Sequence, residues 1–400
     1  MTRLLIVSPQ PFYQDRGTPI AVSQLAAALS ALGYAVDLLA YPIGTPIQLP
    51  GLRILRGHNP FRIRQVRIGF SFRKLVLDAG MLAPLVWLLS TRDYGAVHAL
   101  EELAWPVLAF CRRRNIPVIY DMQSSLPDQL RTHRFFRLGW VQRILRALED
   151  WVLRNSNAVI CSAGLLAHVK SRAPGVLAYE WKFPGQPRDQ SDRQVDLRAR
   201  LGIGADRKVI LYAGTFEPYQ GIDMFLQALE TVTAETPSVV GVLVGSTPEN
   251  DLDADALASR LARDGKLHVL PRQPREAIPA YLAMADVLVS PRAYGDNIPL
   301  KIFDYVLSGK PVVATDIAAH RSILDERCAL LVECSSDGLA AGIRRLIASP
   351  ELGERIAQAA LAMASTAPGK QAYIDLVEAL YASTLQPGKQ APRARRTRLR

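Results

Sequence analysis

The chain has 400 residues, of which 49% are apolar and 21% charged, and its formal net charge is +11. This composition is that of an ordinary globular protein, and the length exceeds what one hydrophobic core usually sustains, so we expect two domains. The four cysteines show neither C-x-x-C spacing nor a histidine-rich partner cluster. This pattern argues against a zinc site and favours a reduced, cytosolic chain.

Charge is distributed unevenly along the sequence. Residues 1–186 carry a net charge of +11, residues 187–388 carry −6, and residues 389–400 carry +6 with no acidic residue. We expect the last of these segments to be a disordered, solvated tail. Contact of this tail with anionic lipid or nucleic acid is the alternative.

The first half alternates predicted strands and helices. A strand at the apolar run Leu4–Val7 leads through a loop to a helix with Thr18 as its N-cap and Pro19 at its first position. Further strands are predicted near 95–99, 118–121 and 158–162. This alternation is typical of a parallel, doubly wound α/β sheet.

The apolar runs of this half do not indicate a targeting or membrane-spanning segment. The run after Arg3 has only the length of a strand, so we expect no signal peptide. The longest run, Leu75–Leu89, is interrupted by Asp78 and Pro84, and we expect it to be too short to span a bilayer.

A second strand–helix series begins at Lys208 and predicts a second Rossmann-type sheet. The polar, breaker-rich stretch Pro184–Arg193 is the predicted hinge between the two. The predicted domains are an N-terminal Rossmann-like domain at 1–186, a C-terminal one at 187–368, a final helix within 369–388 and the basic tail at 389–400.

The stretch from Val289 to Thr315 is the most informative part of the chain. It reads VSPRAYGDNIPLKIFDYVLSGKPVVAT, which predicts strand, loop, helix, turn and strand. Asp296 lies on the predicted loop, and Asp304 follows after seven intervening residues on the first turns of the helix. In open α/β sheets, ligands bind in the crevice at the carboxyl ends of the strands. On spacing alone, an ordinary polar loop is the alternative.

This segment resembles the E-x7-E region of the GT4 family of retaining glycosyltransferases, in a branch with an SPR…PLKI-aromatic motif. The resemblance runs from Leu4 to about Leu385. It implies the GT-B fold, in which two Rossmann-like domains face a cleft and the last helix crosses back to the first domain. In the family the first glutamate contacts the donor sugar and the second contacts the nucleotide ribose. The matching residues here are Asp296 and Asp304, and each is one methylene shorter.

The largest departure from the family concerns the diphosphate of the donor. The segment YAGTFEPYQG matches a motif, G-R…K-G, whose two basic residues clamp the diphosphate and stabilise the charge of the leaving group. The corresponding residues here are Thr215 and Gln220, which carry no charge. We expect Arg292 and Lys301 to replace the missing basic pair.

Further donor contacts are implied by the resemblance. Gly17 and Thr18 open the first helix, where free N–H groups attract an anion, although an ordinary strand-to-helix loop has the same sequence signature. The other predicted donor contacts are Gly214, Gly245, Leu270, Asn297, Ile298, Pro299 and Leu300.

The acceptor is expected on the first domain, at the ends of two predicted strands. The candidates there are His98, Glu101, Asp121, Gln123 and Ser124. His98 is a catalytic candidate, but a lone histidine is more often structural. Gln123 stands where many relatives have a histidine, and it can orient a hydroxyl. Retention in the family is usually explained by front-face attack, in which the donor phosphate takes the acceptor's proton, so a dedicated nucleophile is not expected.

No metal or other cofactor is predicted. Asp251, Asp253 and Asp255 form a D-x-D-x-D run, but this run lacks the glycine and the distant glutamate of an EF-hand loop. Asp251 or Asp253 is instead predicted to cap the next helix, where a negative charge is favourable.

Two basic segments, 53–74 and 131–154, interleave arginines with aromatic and aliphatic residues. Amphipathic helices of this kind lie in membrane interfaces and prefer anionic lipid. A core-facing helix with a solvated basic face is the alternative. Nucleic acid is not an expected partner, because no zinc-finger, RNP-like or helix-turn-helix pattern accompanies the basic charge.

The combined prediction is a cytoplasmic glycosyltransferase positioned at the inner face of the cell membrane. It would move a sugar from a nucleotide-diphosphate donor to a lipid-linked or polysaccharide acceptor in envelope glycan synthesis. A non-catalytic, nucleotide-sugar-binding partner subunit and a GT-B sugar-nucleotide epimerase are the alternatives. No pattern in the sequence indicates an oligomeric state.

Overall fold

A computed structural model of the chain describes residues 2–14, 17–45, 47–66, 71–130, 135–180, 197–246, 255–295, 299–366 and 370–385. The chain divides into two compact units: unit 1 comprises 1–183 and 370–400, and unit 2 comprises 184–369. The predicted hinge, Pro184–Arg193, and the predicted basic tail, 389–400, lie outside the described residues.

Unit 1 is built on a parallel sheet. Its strands are β1 (Arg3–Pro11), β2 (Ala35–Tyr41), β3 (Leu52–Arg56), β4 (Ala96–Leu100), β5 (Val118–Met122), β6 (Ala158–Cys161) and β7 (Leu177–Glu180). Its helices are α1 (Gly17–Ala31), α2 (Phe72–Thr91), α3 (Ala104–Arg114), α4 (Leu126–Leu130), α5 (Gly139–Asn155), α6 (Ala163–Arg172) and, from the end of the chain, α15 (Lys370–Leu385). The described strands run in the order β3-β2-β1-β4-β5-β6-β7.

The sheet of unit 1 is covered by helices on both faces, which explains the continuous apolar run of β1. Leu5 and Val7 pack in a core with α2, α3, α5 and α6. Leu4 and Ile6 point to the opposite face and pack with α1 and α15. All four side chains are fully buried. The C-terminal helix is therefore part of unit 1.

Unit 2 repeats the same plan. Its strands are β8 (Lys208–Ala213), β9 (Val239–Ser246), β10 (Leu267–Pro271), β11 (Val287–Ser290), β12 (Val312–Thr315) and β13 (Leu330–Val332). Its helices are α7 (Leu197–Arg200), α8 (Ile222–Glu235), α9 (Ala256–Arg263), α10 (Ile278–Met284), α11 (Lys301–Leu307), α12 (Ala318–Arg321), α13 (Ser336–Ala348) and α14 (Pro350–Thr366). The described strands are parallel in the order β10-β9-β8-β11-β12-β13.

Both sheets confirm the predicted doubly wound class. In unit 1, β1 lies between β2 and β4, and in unit 2, β8 lies between β9 and β11. The direction in which successive strands are added therefore reverses beside the first strand of each sheet. Such a reversal leaves a crevice at the carboxyl ends of the two central strands, and this is where open α/β sheets bind ligands. The crevice lies between β1 and β4 in unit 1 and between β8 and β11 in unit 2.

Two local predictions about helix starts are wrong. Helix α1 already begins at Gly17, so Thr18 and Pro19 lie inside its first turn and Thr18 is not the N-cap. Asp255 caps α9, since its side chain accepts hydrogen bonds of 2.9 Å from the N–H groups of Leu257 and Ala258. Asp251 and Asp253, which were predicted as the cap, lie outside the described residues.

The basic segment 53–74 is not one amphipathic helix. Its start belongs to β3, which pairs with β2 and directs Arg53 onto the buried carboxylate of Asp37 at 2.7 Å. The helix begins only at Phe72 and then runs for 20 residues, so the expectation that this apolar segment is too short to span a bilayer is also wrong. By length and composition α2 could cross a membrane. In the fold, 33% of its most apolar 18-residue stretch is buried.

Candidate functional site

The crevice of unit 2 brings together residues from two loops and one helix. The loop after β8 supplies Gly214, Thr215 and Gln220, and the loop after β11 supplies Arg292. Lys301, the first residue of α11, reaches the loop after β8 from the side. The described residues of the segment, 289–295 and 299–315, thus form one wall of the crevice, with strand, helix and strand in the predicted order.

Lys301 is the central cation of this site. Its Nζ lies 2.7 Å from the hydroxyl oxygen of Tyr212 and 2.7 Å from Oε1 of Gln220. The Tyr212 hydroxyl in turn donates to the carbonyl of Thr215 at 2.6 Å. Both acceptors of the amine are neutral, so its positive charge is not cancelled by them. The geometry therefore places a cation beside Thr215 and Gln220.

Two glycines keep space open around this amine. A Cβ on Gly214 would lie 2.7 Å from Lys301 Nζ and 2.8 Å from the Tyr212 hydroxyl. Gly245, at the end of the neighbouring strand β9, has a φ of 134°, and a Cβ there would collide with the carbonyl oxygen of Gly214. The two backbones approach so closely that only glycine fits at 245.

Arg292 adds a second positive charge to the crevice. Its side chain is 5% exposed, its Nε donates to the Tyr294 carbonyl at 3.0 Å, and its guanidinium lies 5.3 Å from the centre of the Tyr219 ring. Burial, and then repulsion by Arg292, hold the pKa of the Lys301 amine well below its ordinary value. Two cations that destabilise each other in this way favour an anionic ligand.

A buried histidine supports the backbone of Arg292. His320 Nδ1 lies 2.7 Å from the Thr315 carbonyl, which can only accept, so this nitrogen carries the proton. His320 Nε2 then accepts from the Ser290 hydroxyl at 2.8 Å. The Thr315 hydroxyl donates to the Arg292 carbonyl at 2.5 Å. Burial lowers the pKa of His320 to about 4, so the ring is neutral at neutral pH.

The remaining predicted residues of unit 2 are placed as follows. Asp304 lies on α11 with one carboxylate oxygen 3.5 Å from Arg275. Pro299 is buried and Leu300 half-buried, directly before α11, while Leu270 lies on β10, two strands away from β8. Asp296, Asn297 and Ile298 lie outside the described residues.

Sequence reasoning missed the tyrosines and the histidine that hold the site together. Tyr212 and Tyr305 are fully buried, and an aromatic residue in an apolar strand or helix predicts core packing. The Tyr305 hydroxyl nevertheless accepts from the backbone N–H of Ala213 at 2.8 Å, which ties α11 to β8. His320 gave no signal: Ser290 lies 30 residues away, and Thr315, although only five residues away, ends a strand whose apolar pattern indicates core packing.

In unit 1 the histidine candidate is buried. His98 is 1% exposed, with Nε2 3.3 Å from Asp121 and Nδ1 2.9 Å from the Tyr381 hydroxyl of α15. Gln123 also donates to Asp121, at 2.6 Å. Since both ring nitrogens of His98 face these partners, the geometry favours the structural alternative over the predicted catalytic role. Asp121 is likewise buried, which leaves Gln123 as the more accessible member of this set.

The other candidates of unit 1 lie at the carboxyl ends of its strands. Glu101 follows β4 directly and Ser124 follows β5, and both line a pocket at this edge of the sheet. Gly17 is exposed and Thr18 half-buried at the start of α1. Within the part of the chain that the structure describes, no group of three or more His, Cys, Asp or Glu side chains has the arrangement of a metal site.

Two doubly wound α/β units, one of them with two cations in its crevice, are the architecture that the sequence predicted as a GT-B fold. The family described as Glycosyl transferases group 1 matches residues 194–363, and the Glycosyl transferase 4-like domain matches residues 16–168. The chain belongs to the GT4 family of GT-B glycosyltransferases, as the resemblance implied.

Individual relatives agree with this assignment. A D-inositol 3-phosphate glycosyltransferase of Nocardioides is 24% identical over 87% of this chain and 81% of its own length. A phosphatidyl-myo-inositol mannosyltransferase of Mycolicibacterium smegmatis is 27% identical over 88% of this chain and 86% of its own. The Anabaena protein HepE, solved with UDP-glucose, shares the fold with a TM-score of 0.71 at 16% identity, over 96% of this chain and all of its own.

Proposed function

We propose that this glycosyltransferase takes its sugar from a nucleotide-diphosphate donor whose diphosphate binds Lys301 and Arg292. The observation that carries the proposal is the position of the Lys301 amine, 2.7 Å from Gln220 in the crevice of unit 2. There, a cation from α11 lies where the sequence has lost the basic residues of the family motif. The UDP-glucose bound to HepE supports a donor of this class.

The chemistry expected of these cations is stabilisation of the leaving group. When the bond from the sugar to the diphosphate breaks, negative charge grows on the diphosphate oxygens. A fixed cation in a partly buried site stabilises that charge more than water does. Because Lys301 and Arg292 supply this charge, we propose that transfer needs no metal ion and continues in the presence of EDTA.

The acceptor is proposed to be presented at a membrane, as part of a lipid-linked or polysaccharide precursor of the cell envelope. Helix α5 supports this: it exposes a stripe of Trp140, Ile144 and Leu148, which are 55%, 51% and 37% exposed. Arg143 and Arg146 are exposed on the same helix. Apolar residues at a spacing of four, with basic neighbours, suit the interface of an anionic membrane.

Helix α2 also supports contact of this part of unit 1 with a membrane. Leu77, Met81, Leu85 and Leu88 are buried, whereas Phe72 and Trp87 are 78% and 54% exposed. Both helices cover the same face of the sheet of unit 1, with α3 between them. The Mycolicibacterium relative, named for a phosphatidylinositol substrate, also supports a lipid acceptor. The proposed location is therefore the cytoplasmic face of the cell membrane.

A donor screen tests the proposed function. Purified protein is incubated with a panel of UDP-, GDP- and ADP-sugars, with and without EDTA, and thermal stabilisation and release of the nucleotide are measured. Stabilisation by one donor, with release that accelerates on addition of an envelope lipid extract, is the expected result. Binding without any release would support the non-catalytic alternative, and the absence of binding to every donor would contradict the proposal.

A further inference from the structure

Lys301 is held by two partners that fix its amine without cancelling its charge. Its Nζ lies 2.7 Å from the amide oxygen of Gln220 and 2.7 Å from the hydroxyl oxygen of Tyr212. Among the described residues, no carboxylate forms an ion pair with this amine. We propose that Gln220 is a positioning residue of the donor site, whose uncharged amide fixes the Lys301 ammonium and leaves its charge available to the diphosphate. This inference rests on the proposed function, since it concerns the same donor.

The orientation of the Gln220 amide follows from the chemistry of its partner. An ammonium group has donors and no acceptor, so the atom that faces Lys301 is the amide oxygen. Gln220 is 6% exposed, and its backbone N–H donates to the Glu217 carbonyl at 2.8 Å. Gly221 follows with a φ of 68°, and a Cβ on it would lie 2.1 Å from the Pro291 carbonyl oxygen. The turn that carries Gln220 is therefore packed closely against the chain after β11.

Tyr212 is the second uncharged acceptor of the amine. Its hydroxyl donates its proton to the Thr215 carbonyl at 2.6 Å, so an oxygen lone pair is left for Lys301. The centre of its ring lies 3.9 Å from Lys301 Nζ, which adds a cation–π contact. Burial raises the pKa of Tyr212 well above its ordinary value, and the amide of Gln220 does not titrate. Both acceptors therefore stay uncharged at neutral and mildly alkaline pH.

A second buried lysine of the chain shows the opposite arrangement. In unit 1, Lys74 Nζ lies 3.0 Å from Glu101 and 2.8 Å from Glu102. Burial lowers the pKa of Lys74, but these two carboxylates outweigh burial and raise it. For Lys301, burial and Arg292 act in the same direction, and the pKa falls. The protein thus neutralises one amine and leaves the other with a charge that an added anion can balance.

A carboxylate in place of the amide tests the proposal with a change of one group. In Gln220→Glu, the size of the side chain hardly changes, but Lys301 gains a counterion and a diphosphate meets a like charge. Affinity of the full-length protein for the probes UDP, GDP and ADP, measured by calorimetry, should fall about tenfold or more. The temperature of thermal unfolding should not fall, because a buried ammonium gains a partner of opposite charge.

The pH profile of nucleotide affinity is a readout that a merely structural residue would not move. The titratable groups that interact with Lys301 are Arg292, Tyr212 and, from α12, the neutral His320. In the natural chain, affinity should fall at alkaline pH as the amine loses its proton. The carboxylate of Gln220→Glu raises the pKa of Lys301, so this alkaline fall should move to higher pH.

Two further variants separate charge from contact. Gln220→Met keeps a side chain of similar length without charge or acceptor, while Tyr212 still contacts the amine. Affinity should therefore fall only about threefold, and the alkaline fall should not move to higher pH. Gln227→Glu adds the same charge at an exposed position of α8 and is the matched control, which should change neither quantity. Circular dichroism checks that each variant is folded.

The outcomes that overturn the proposal are specific. Natural affinity in a folded Gln220→Glu protein would overturn it, as would equal losses in Gln220→Glu and Gln220→Met, because the charge at this position would then have no effect. If Gln220→Glu does not fold, Gln220→Met decides the question. An affinity equal to that of the natural chain would then exclude a positioning role for the amide.

The inference and the proposed function fail separately. If UDP, GDP and ADP all fail to bind the natural chain, the proposed function is refuted. If one of them binds, and Lys301→Met loses this binding whereas Gln220→Glu keeps it, only the role of Gln220 is refuted.

Discussion

Lys301 combines a positive charge with surroundings that disfavour it. In the free protein, burial and Arg292 lower the pKa of its amine, so part of the population is neutral at a pH below the ordinary lysine value of about 10.5. A bound diphosphate would stabilise the charged form and raise that pKa again. Donor binding should therefore be coupled to protonation of this amine.

This coupling predicts proton uptake on donor binding. Between the lower pKa of the free protein and the higher pKa of the complex, up to about one proton should be taken up per donor, and affinity should fall as the pH rises through that window. Calorimetric titrations at one pH in two buffers of different ionisation enthalpy measure this uptake. It should vanish in Lys301→Met, and identical enthalpies in both buffers for the natural chain would contradict the prediction.

Gly214 sets the space in which the amine of Lys301 lies. In Gly214→Ala, the new Cβ would meet Lys301 Nζ and the Tyr212 hydroxyl at 2.7 and 2.8 Å, so the amine must move away. We expect donor affinity to fall by about tenfold or more, because one charge-assisted contact to the diphosphate is lost. Gly175→Ala, where a Cβ meets nothing within 4 Å, is the control. Equal affinities of the two variants for the donor would count against this geometry.

At the scale of elements, His320 joins α12 to β11 and β12 through Ser290 and Thr315. Burial lowers its pKa from 6.5 to about 4, so the unfolded chain binds a proton that the folded chain does not bind between these values. Its contribution to stability is therefore complete above about pH 6.5 and is lost as the pH falls towards 4. The loss amounts to about 3 kcal/mol of the free energy of unfolding.

Urea unfolding of the full chain from pH 7 to pH 4 measures this effect. In His320→Gln, the part of the pH dependence that belongs to the histidine should disappear, so the curve of the variant should be flatter by about 3 kcal/mol across that range. Parallel curves for the natural chain and the variant would show that the buried ring does not titrate as its environment predicts.

The exposed stripe of α5 predicts membrane binding. Trp140→Ser combined with Ile144→Ser should weaken binding to vesicles of phosphatidylcholine and phosphatidylglycerol by about tenfold, since two half-exposed apolar side chains are lost from the interface. Leu177→Ser, which removes an exposed apolar residue from β7, is the control. Co-sedimentation with the vesicles measures the binding of both variants and of the natural chain. Equal loss in both variants, or binding of the natural chain to neutral vesicles alone, would contradict the predicted surface.

Elements with a periodic sequence signal could be predicted, and those fixed by tertiary partners could not. The apolar runs at β1, β8 and β11 predict buried parallel strands because both faces of each sheet are covered. β3 was not predicted, because its arginines have the pattern of a basic surface segment. In the structure, Arg53 of this strand donates to the buried carboxylate of Asp37. The cap of α9 was misplaced within a run of three aspartates, where only backbone geometry selects Asp255.

The same distinction applies to the candidate site. Arg292 and Lys301 could be singled out because the loop and helix around them carry a recognisable pattern. Their supporting residues, Tyr212 and His320, could not, because a buried hydroxyl or imidazole acquires its role from partners that only the packed fold brings near, such as Lys301 for Tyr212 and Ser290 for His320.

For the whole molecule, the two units repeat one sheet topology but present opposite chemistry. The crevice of unit 2 holds the cations Lys301 and Arg292, although residues 187–388 carry a net negative charge. The pocket of unit 1 holds carboxylates, although residues 1–186 carry +11. Local placement of a few side chains, and not the overall charge, therefore sets the chemistry of each site.

The central claim is that Lys301 supplies the charge that binds and activates a nucleotide-sugar donor, and a matched pair of lysine variants tests it most directly. Lys301→Met keeps a side chain of similar length without its charge, and Lys208→Met removes an exposed lysine from the opposite end of β8. We would measure nucleotide release from the best donor of the panel for both variants and the natural chain. The account predicts a loss of about 100-fold in Lys301→Met and none in Lys208→Met, whereas full activity of a folded Lys301→Met protein would contradict it.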